Sequence, residues 1–111
     1  MPGPKRLDFP EAERNTSNED GSTTVRLHYP ITDGKATVDR LTVKRPKAKD
    51  LRKMDEAKGN VGKELRLMEA LTNVTVNDLG ELEAEDFANV DEVINSYMGK
   101  RQPTGETSSE T

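Results

Sequence analysis

The chain has 111 residues, with 17 Lys and Arg against 21 Asp and Glu, a net charge of -4 and only 31% hydrophobic residues, which admits one small domain. It contains no cysteine, so disulfides, thiolate nucleophiles and cysteine-based zinc sites are excluded. No run approaches the ~18 consecutive apolar residues of a membrane span, and Met1 to Leu7 lacks the apolar stretch of a secretory signal, so the chain reads as cytosolic and its Asn15-Thr16-Ser17 and Asn73-Val74-Thr75 sequons carry no weight.

All hydrophobic residues but Met1, Leu7, Phe9 and Ala12 fall between Val25 and Met98. Residues 1–24 and 100–111 therefore read as disordered tails, too polar to bury enough surface against backbone entropy. The segment between them, 25–99, is the foldable domain. With two Tyr, two Phe and no Trp its core is marginal, and a partner or self-association into a homo-oligomer would stabilise it.

Val25, Leu27 and Tyr29 alternate with Arg26 and His28, and Leu41 and Val43 repeat the period after Asp33-Gly34, which predicts a β-hairpin. Val38 has the opposite parity, so either the second strand begins near Arg40 or a bulge shifts its register. Pro46 ends the strand. Ala48 to about Lys58 reads as a helix with a narrow apolar stripe, Leu51 and Met54, closed by Gly59. Val61, Leu65, Leu67, Met68 and Leu71 give a second helix, Val61 to Thr72, a broad core face. Thr75 and Asp78 open a short turn, Val76 to Leu82. The last helix, Ala84 to Met98, carries Phe87, Val90, Ile94, Tyr97 and Met98 at helical spacing, with Glu83, Glu85 and Asp86 at its start matching the macrodipole. The fold class is thus α+β: a small N-terminal β-hairpin followed by three to four α-helices, with disordered tails.

Gly59-Asn60-Val61-Gly62-Lys63-Glu64 falls short of a phosphate loop, because Ala57 stands where a glycine is needed and Glu64 where a hydroxyl is needed. His28, the single histidine, falls on the outward face of a strand with no companion at ligand spacing, which makes it a surface residue and not a metal ligand. No pocket is evident that would tune a carboxylate, so the chain reads as a non-enzyme without cofactor or metal.

From Lys44 to Arg66 basic residues outnumber acidic ones, while Thr75 to Met98 holds acidic residues only. The default reading is that the two halves compensate each other on folding. The alternative makes Lys44, Arg45, Lys47, Lys49, Arg52 and Lys53 (segment 44–53) the surface of a small nucleic-acid-binding regulator, against which stands the absence of any aromatic platform in that stretch. The apolar stripe of the last helix is mostly core. Tyr97 and Met98, at its tip, are the candidate partner contacts, with Met68 as a companion.

The order of these pieces resembles the small tail assembly chaperones of contractile-tailed phages, of the Mu-like type. The resemblance is carried by Leu27-His28-Tyr29-Pro30-Ile31, Asp33-Gly34, Leu41-Thr42-Val43-Lys44-Arg45-Pro46, Lys49-Asp50-Leu51-Arg52, Glu64 to Thr72, and the helix starts Asp78-Leu79 and Glu85-Asp86-Phe87. It covers Val25 to Gly99 and implies a non-enzymatic assembly factor. Such a factor binds the tape measure protein, keeps its helical apolar segments soluble in the host cytoplasm, helps tail tube protein polymerise around it, and is absent from the mature virion. Related systems often extend this product by frameshifting near its end, where Lys100 to Thr111 lie here. A minor structural tail protein is the remaining alternative.

Overall fold

The structure is a computed structural model and describes residues 6–99. It has a three-stranded antiparallel sheet, β1 (Asn15–Ser17), β2 (Thr23–Asp33) and β3 (Ala36–Val43), in the order β1-β2-β3. Four helices follow: α1 (Ala48–Leu51), α2 (Asn60–Thr72), α3 (Val76–Leu79) and α4 (Ala84–Tyr97). The class is α+β, as the sequence predicts. The core lies between the sheet and the helices, with Val25, Leu27, Ile31, Leu41 and Val43 meeting Leu67, Met68, Leu71, Leu79, Val90, Val93 and Ile94.

The hairpin closes through Gly34-Lys35, with Asp33 paired to Ala36. Gly34 has φ +68°, the positive value that the first loop position of a type II′ hairpin requires. The parity conflict at Val38 resolves as a bulge on β2. Arg26 pairs with Arg40 and Ile31 with Val38, so Leu27 through Pro30 stand opposite Asp39 alone. Pro30 has no amide hydrogen to give a ladder, which suits it to such an interruption. The odd difference between four residues on β2 and one on β3 accompanies the packing of both Val38 and Leu41 on the core.

Four expectations are corrected. First, a mobile stretch reaching Thr24 is not what residues 6–24 form: they contain a 3-10 turn (Glu11–Glu13) and β1, with Asn15 to Ser17 paired to Thr23 to Val25. Polar side chains hold this segment, as set out below, so an apolar-pattern reading could not find it. Second, the helix expected from Ala48 to Lys58 stops at Leu51 and continues as a 3-10 segment, Arg52–Glu56. Leu51 is exposed and only Met54 packs on the core, so little apolar burial supports a longer α-helix. Third, Val61 lies outside the core, at 61% exposure. Fourth, the charged halves are not joined by direct ion pairs. Among the described residues no ion pair joins 44–66 to 75–98; Lys53 and Arg66 pair with Glu56 and Glu69, while Glu85 and Asp86 are met by Arg6 and Arg14. Residues 1–5 and 100–111 lie outside the described residues, and with them the whole of the expected C-terminal tail.

Helix ends follow local chemistry. Asn73, at φ 64°, caps α2 by donating its amide to the Glu69 carbonyl, an αL position that asparagine tolerates. Thr75 Oγ1 accepts from the Asp78 amide at 3.2 Å and starts α3 as its sequence predicts.

Candidate partner-binding groove

The position of α4 is set by its third residue. Asp86 is fully buried, and its two carboxylate oxygens accept from the His28 amide at 3.0 Å and the Tyr29 amide at 2.9 Å. These are amides that the β2 bulge withdraws from the ladder, and buried donors without acceptors would be costly. Arg14 brings a guanidinium to 3.7 Å of the same carboxylate and donates to the Glu85 carbonyl at 3.3 Å.

The N-terminal segment fastens this junction from outside. Arg6 holds Glu85 through two hydrogen bonds, of 3.2 and 3.1 Å, which keeps the Glu85 carboxyl below its ordinary pKa. Asn15 and Asn89 exchange side-chain hydrogen bonds at 3.1 and 2.9 Å. Leu7 donates its amide to the His28 carbonyl, and its own carbonyl lies 2.7 Å from His28 Nδ1. Phe9 stacks on the His28 ring with centroids 4.3 Å apart and carries the Arg26 guanidinium 4.3 Å from its own centroid. His28 is therefore buried, against the expectation of a surface histidine. The bulge turns it toward the N-terminal segment, which covers it.

Beside the first turns of α4 and the start of α2 lies an apolar groove of about 250 Å³, lined by Val61, Leu65, Leu79, Gly80, Leu82, Ala84 and Phe87. Val61 and Leu65 are one turn apart on α2, as Ala84 and Phe87 are on α4. The 80–84 link between α3 and α4 separates this groove from a second cleft. Gly80, Leu82 and Ala84 face the groove, while Glu81 and Glu83 face the cleft, which is completed by Tyr29, Pro30, Ile31 and Thr32. No basic side chain lines either depression.

Glu64, next to Leu65 on α2, meets Asp91, one turn past Phe87 on α4. Desolvation of Glu64, reinforced by the Asp91 carboxyl, pushes its pKa up to about 7. Asp91 Oδ1 is shielded from solvent and lacks a hydrogen-bond partner unless Glu64 supplies a proton. A proton on Glu64, held up to about pH 7, gives that oxygen a donor. Sequence reading missed this pair and the role of Asp86, because each acidic residue also suits an ordinary helix surface or helix start. The available signals are the parity of Val38 and Pro30 just after the alternating residues, which point to a bulge whose amides need acceptors.

Of the residues singled out as partner contacts, Met68 is fully buried in the core and offers no surface, a correction that follows from its central place on α2. Tyr97 is half-buried. Its hydroxyl donates to the Gly21 carbonyl at 2.7 Å and lies 2.7 Å from Thr23 Oγ1, while the Arg45 guanidinium sits over its ring. Met98 is half-buried beside it and packs against the core cluster. The structure does not bring these three together on one surface. Val61, exposed, lies in the groove, and among the described residues no helix is long and apolar enough to cross a membrane.

Among the described residues, a three-stranded sheet packed on helices beside an open apolar groove defines a small α+β module. Residues 24–99 match the family model of phage tail assembly chaperone proteins, described as "E, or 41 or 14". The chain belongs to that family. Comparison with curated proteins and with solved structures gave no significant match.

Proposed function

We propose that the chain binds the tape measure protein, keeps its long helical apolar segments soluble, and helps tail tube protein polymerise around it, in the host cytoplasm and without catalysis. The observation that carries this reading is the family match across residues 24–99, which spans β2, β3 and all four helices. An exposed apolar groove on a folded module supports it physically, since a holder of helices must present apolar surface that its own core leaves uncovered. The protein leaves before the tail is finished and is absent from the mature particle.

Co-expression with the tape measure protein tests the reading. The expected result is that the tape measure protein moves from the insoluble to the soluble fraction and co-purifies with this chain. An insoluble tape measure protein, with no co-purification, would overturn it. Retention of the chain in purified tails would favour a minor structural tail protein. The regulator reading draws on one observation: among the described residues, segment 44–53 has no ion pair with the acidic half. DNA retention with a steep salt dependence would favour that reading, and the chaperone should show none.

A further inference from the structure

The second cleft, of about 360 Å³, lies between the outer edge of β2 and the 80–84 link, with Tyr29, Pro30, Ile31 and Thr32 on one side and Glu81 and Glu83 on the other. Further back along β2 this same edge is already taken by an added chain, the N-terminal segment. β1 pairs with Thr23 to Val25, the Arg26 amide donates to the Arg14 carbonyl at 2.8 Å, and the His28 carbonyl accepts from the Leu7 amide at 2.7 Å. Among the described residues nothing continues this row past His28. In a hairpin with a two-residue loop the closing residues bond to each other and every second residue faces away, so Asp33 and Ile31 are turned to Ala36 and Val38, while Thr32 turns its N–H and C=O to the outer edge. Thr32 is exposed, and among the described residues neither group has a backbone partner.

The wall opposite this open edge is of one charge. Glu85 and Asp86 are met by Arg6 and Arg14, whereas Glu81 and Glu83 are exposed and have no ion pair among the described residues. No basic side chain lines the cleft; Arg6 is engaged by Asp8 and Glu85, and Lys35 belongs to the hairpin loop. At the hairpin end of the edge the Asp78 carboxyl, by hydrogen bonding and like charge, holds Asp33 above its ordinary pKa.

We propose that the open edge of β2 at Thr32 takes an extended segment of the partner protein as an added strand, with lysine or arginine at the alternate positions that face Glu81 and Glu83. The inference rests on the chaperone reading, which supplies a protein partner, and gives that partner a chemistry. Main-chain bonds to Thr32 fix the segment on the edge, as they fix Leu7 at His28. A helix would leave the Thr32 groups unmet, because its own backbone groups bond internally. The sign of the side chains follows from the glutamates, which repel an acidic segment and attract a basic one.

The test uses the full chain and synthetic peptides of about eight residues, a long strand. One alternates Thr with Lys, one alternates Thr with Glu, and a third is the Lys peptide with its backbone nitrogens methylated, which cannot donate to a strand edge. At low salt, fluorescence anisotropy should show the Lys peptide binding about tenfold more tightly than either of the others. Glu81→Lys with Glu83→Lys, at exposed positions, should reverse the preference between Lys and Glu. Amide hydrogen exchange at Thr32 should be fast in the free chain and slow by about tenfold with the Lys peptide bound. Equal binding of the Lys and Glu peptides, or of the Lys peptide and its methylated form, would overturn the proposal. A Thr32 amide already protected in the free monomer would overturn it in favour of the chain's own residues as the occupant, and one protected only in a dimer in favour of a second copy. The co-expression assay separates the two failures. If the charge-reversed variant loses the Lys peptide yet solubilises the tape measure protein as wild type does, the edge assignment fails and the chaperone reading stands. If wild type fails there yet binds the Lys peptide with protection of Thr32, the chaperone reading fails and the edge assignment stands.

Discussion

Replacing Asp86 with alanine should cost this fold more than any other single polar substitution. Its carboxylate accepts from the His28 and Tyr29 amides, at 3.0 and 2.9 Å, at a site with no exposure to solvent. Alanine leaves both amides buried without an acceptor, a penalty of about 1–3 kcal/mol each, and leaves the mostly buried Arg14 guanidinium without its carboxylate. Because the bulge can relax and admit some water, a loss of about 3–5 kcal/mol is expected, against a total stability of about 5–15 kcal/mol for a domain of this kind. In urea, with an m-value of about 1.5 kcal/mol/M, the midpoint should fall by about 2–3 M. Asp86→Asn keeps one acceptor oxygen and should lose roughly half as much. Equilibrium unfolding followed by far-UV circular dichroism measures both, and hydrogen exchange at the His28 and Tyr29 amides should accelerate in the alanine variant more than at core amides such as Val25. A midpoint within about 0.5 M of wild type, with an unchanged m-value, would refute the role assigned to Asp86.

Other substitutions probe the rest of the scaffold. Glu64 has a folded pKa of about 7, raised from 4.5, so its stabilising contribution is fully present below the unfolded value and is lost as pH rises through about 7. Glu64→Gln should therefore gain about 1–2 kcal/mol relative to wild type between pH 5 and pH 8, after allowance for solvent screening. A stability difference that stays flat across that range would contradict the carboxyl pair. Phe9→Ala removes the stack on His28 and the contact with Arg26, and should lower stability by about 1–2 kcal/mol and the thermal midpoint by several degrees; an unchanged midpoint would mean that the N-terminal segment is not part of the fold. Tyr97→Phe loses the hydrogen bonds to Gly21 and Thr23 and should cost about 1–2 kcal/mol, measured in the same urea titration. Were Tyr97→Phe neutral, the hydroxyl would be free for a partner.

What could be read in advance is what apolar periodicity encodes. The hairpin, α2 and α4 follow from the alternation at Val25 and Leu27 and from the turn-spaced residues Leu67, Leu71, Val90 and Ile94, all of which are core. The conflict at Val38 also signalled the bulge, though not where its freed amides go. The N-terminal segment was illegible for a physical reason. It is held by Arg6, Arg14, Asn15 and a single ring, Phe9, whose partners Glu85, Asp86, Asn89 and His28 are distant in sequence and leave no local period. Asp86 sits where an acidic residue favours any helix start, which concealed its burial. A helix-end position and residue type suggest a contact role for Tyr97, with Met68 as companion, but packing decides: Met68 is in the core and Tyr97 is fastened by its hydroxyl. The groove escaped notice because its residues come from α2, α3 and α4 and read individually as core. Val61 is the clearest case, an apolar residue on the right helical face but one turn beyond the end of the covering layer.

Under the proposed function this chain holds apolar helical segments of the tape measure protein in solution. The most direct measurement dilutes denatured tape measure protein into buffer with and without the purified chain and follows light scattering. The account predicts that scattering is suppressed in a saturable manner as the ratio of the two proteins rises, and that Val61→Asp suppresses it less. Scattering that proceeds equally with the chain and with an unrelated protein of the same size and charge would contradict it.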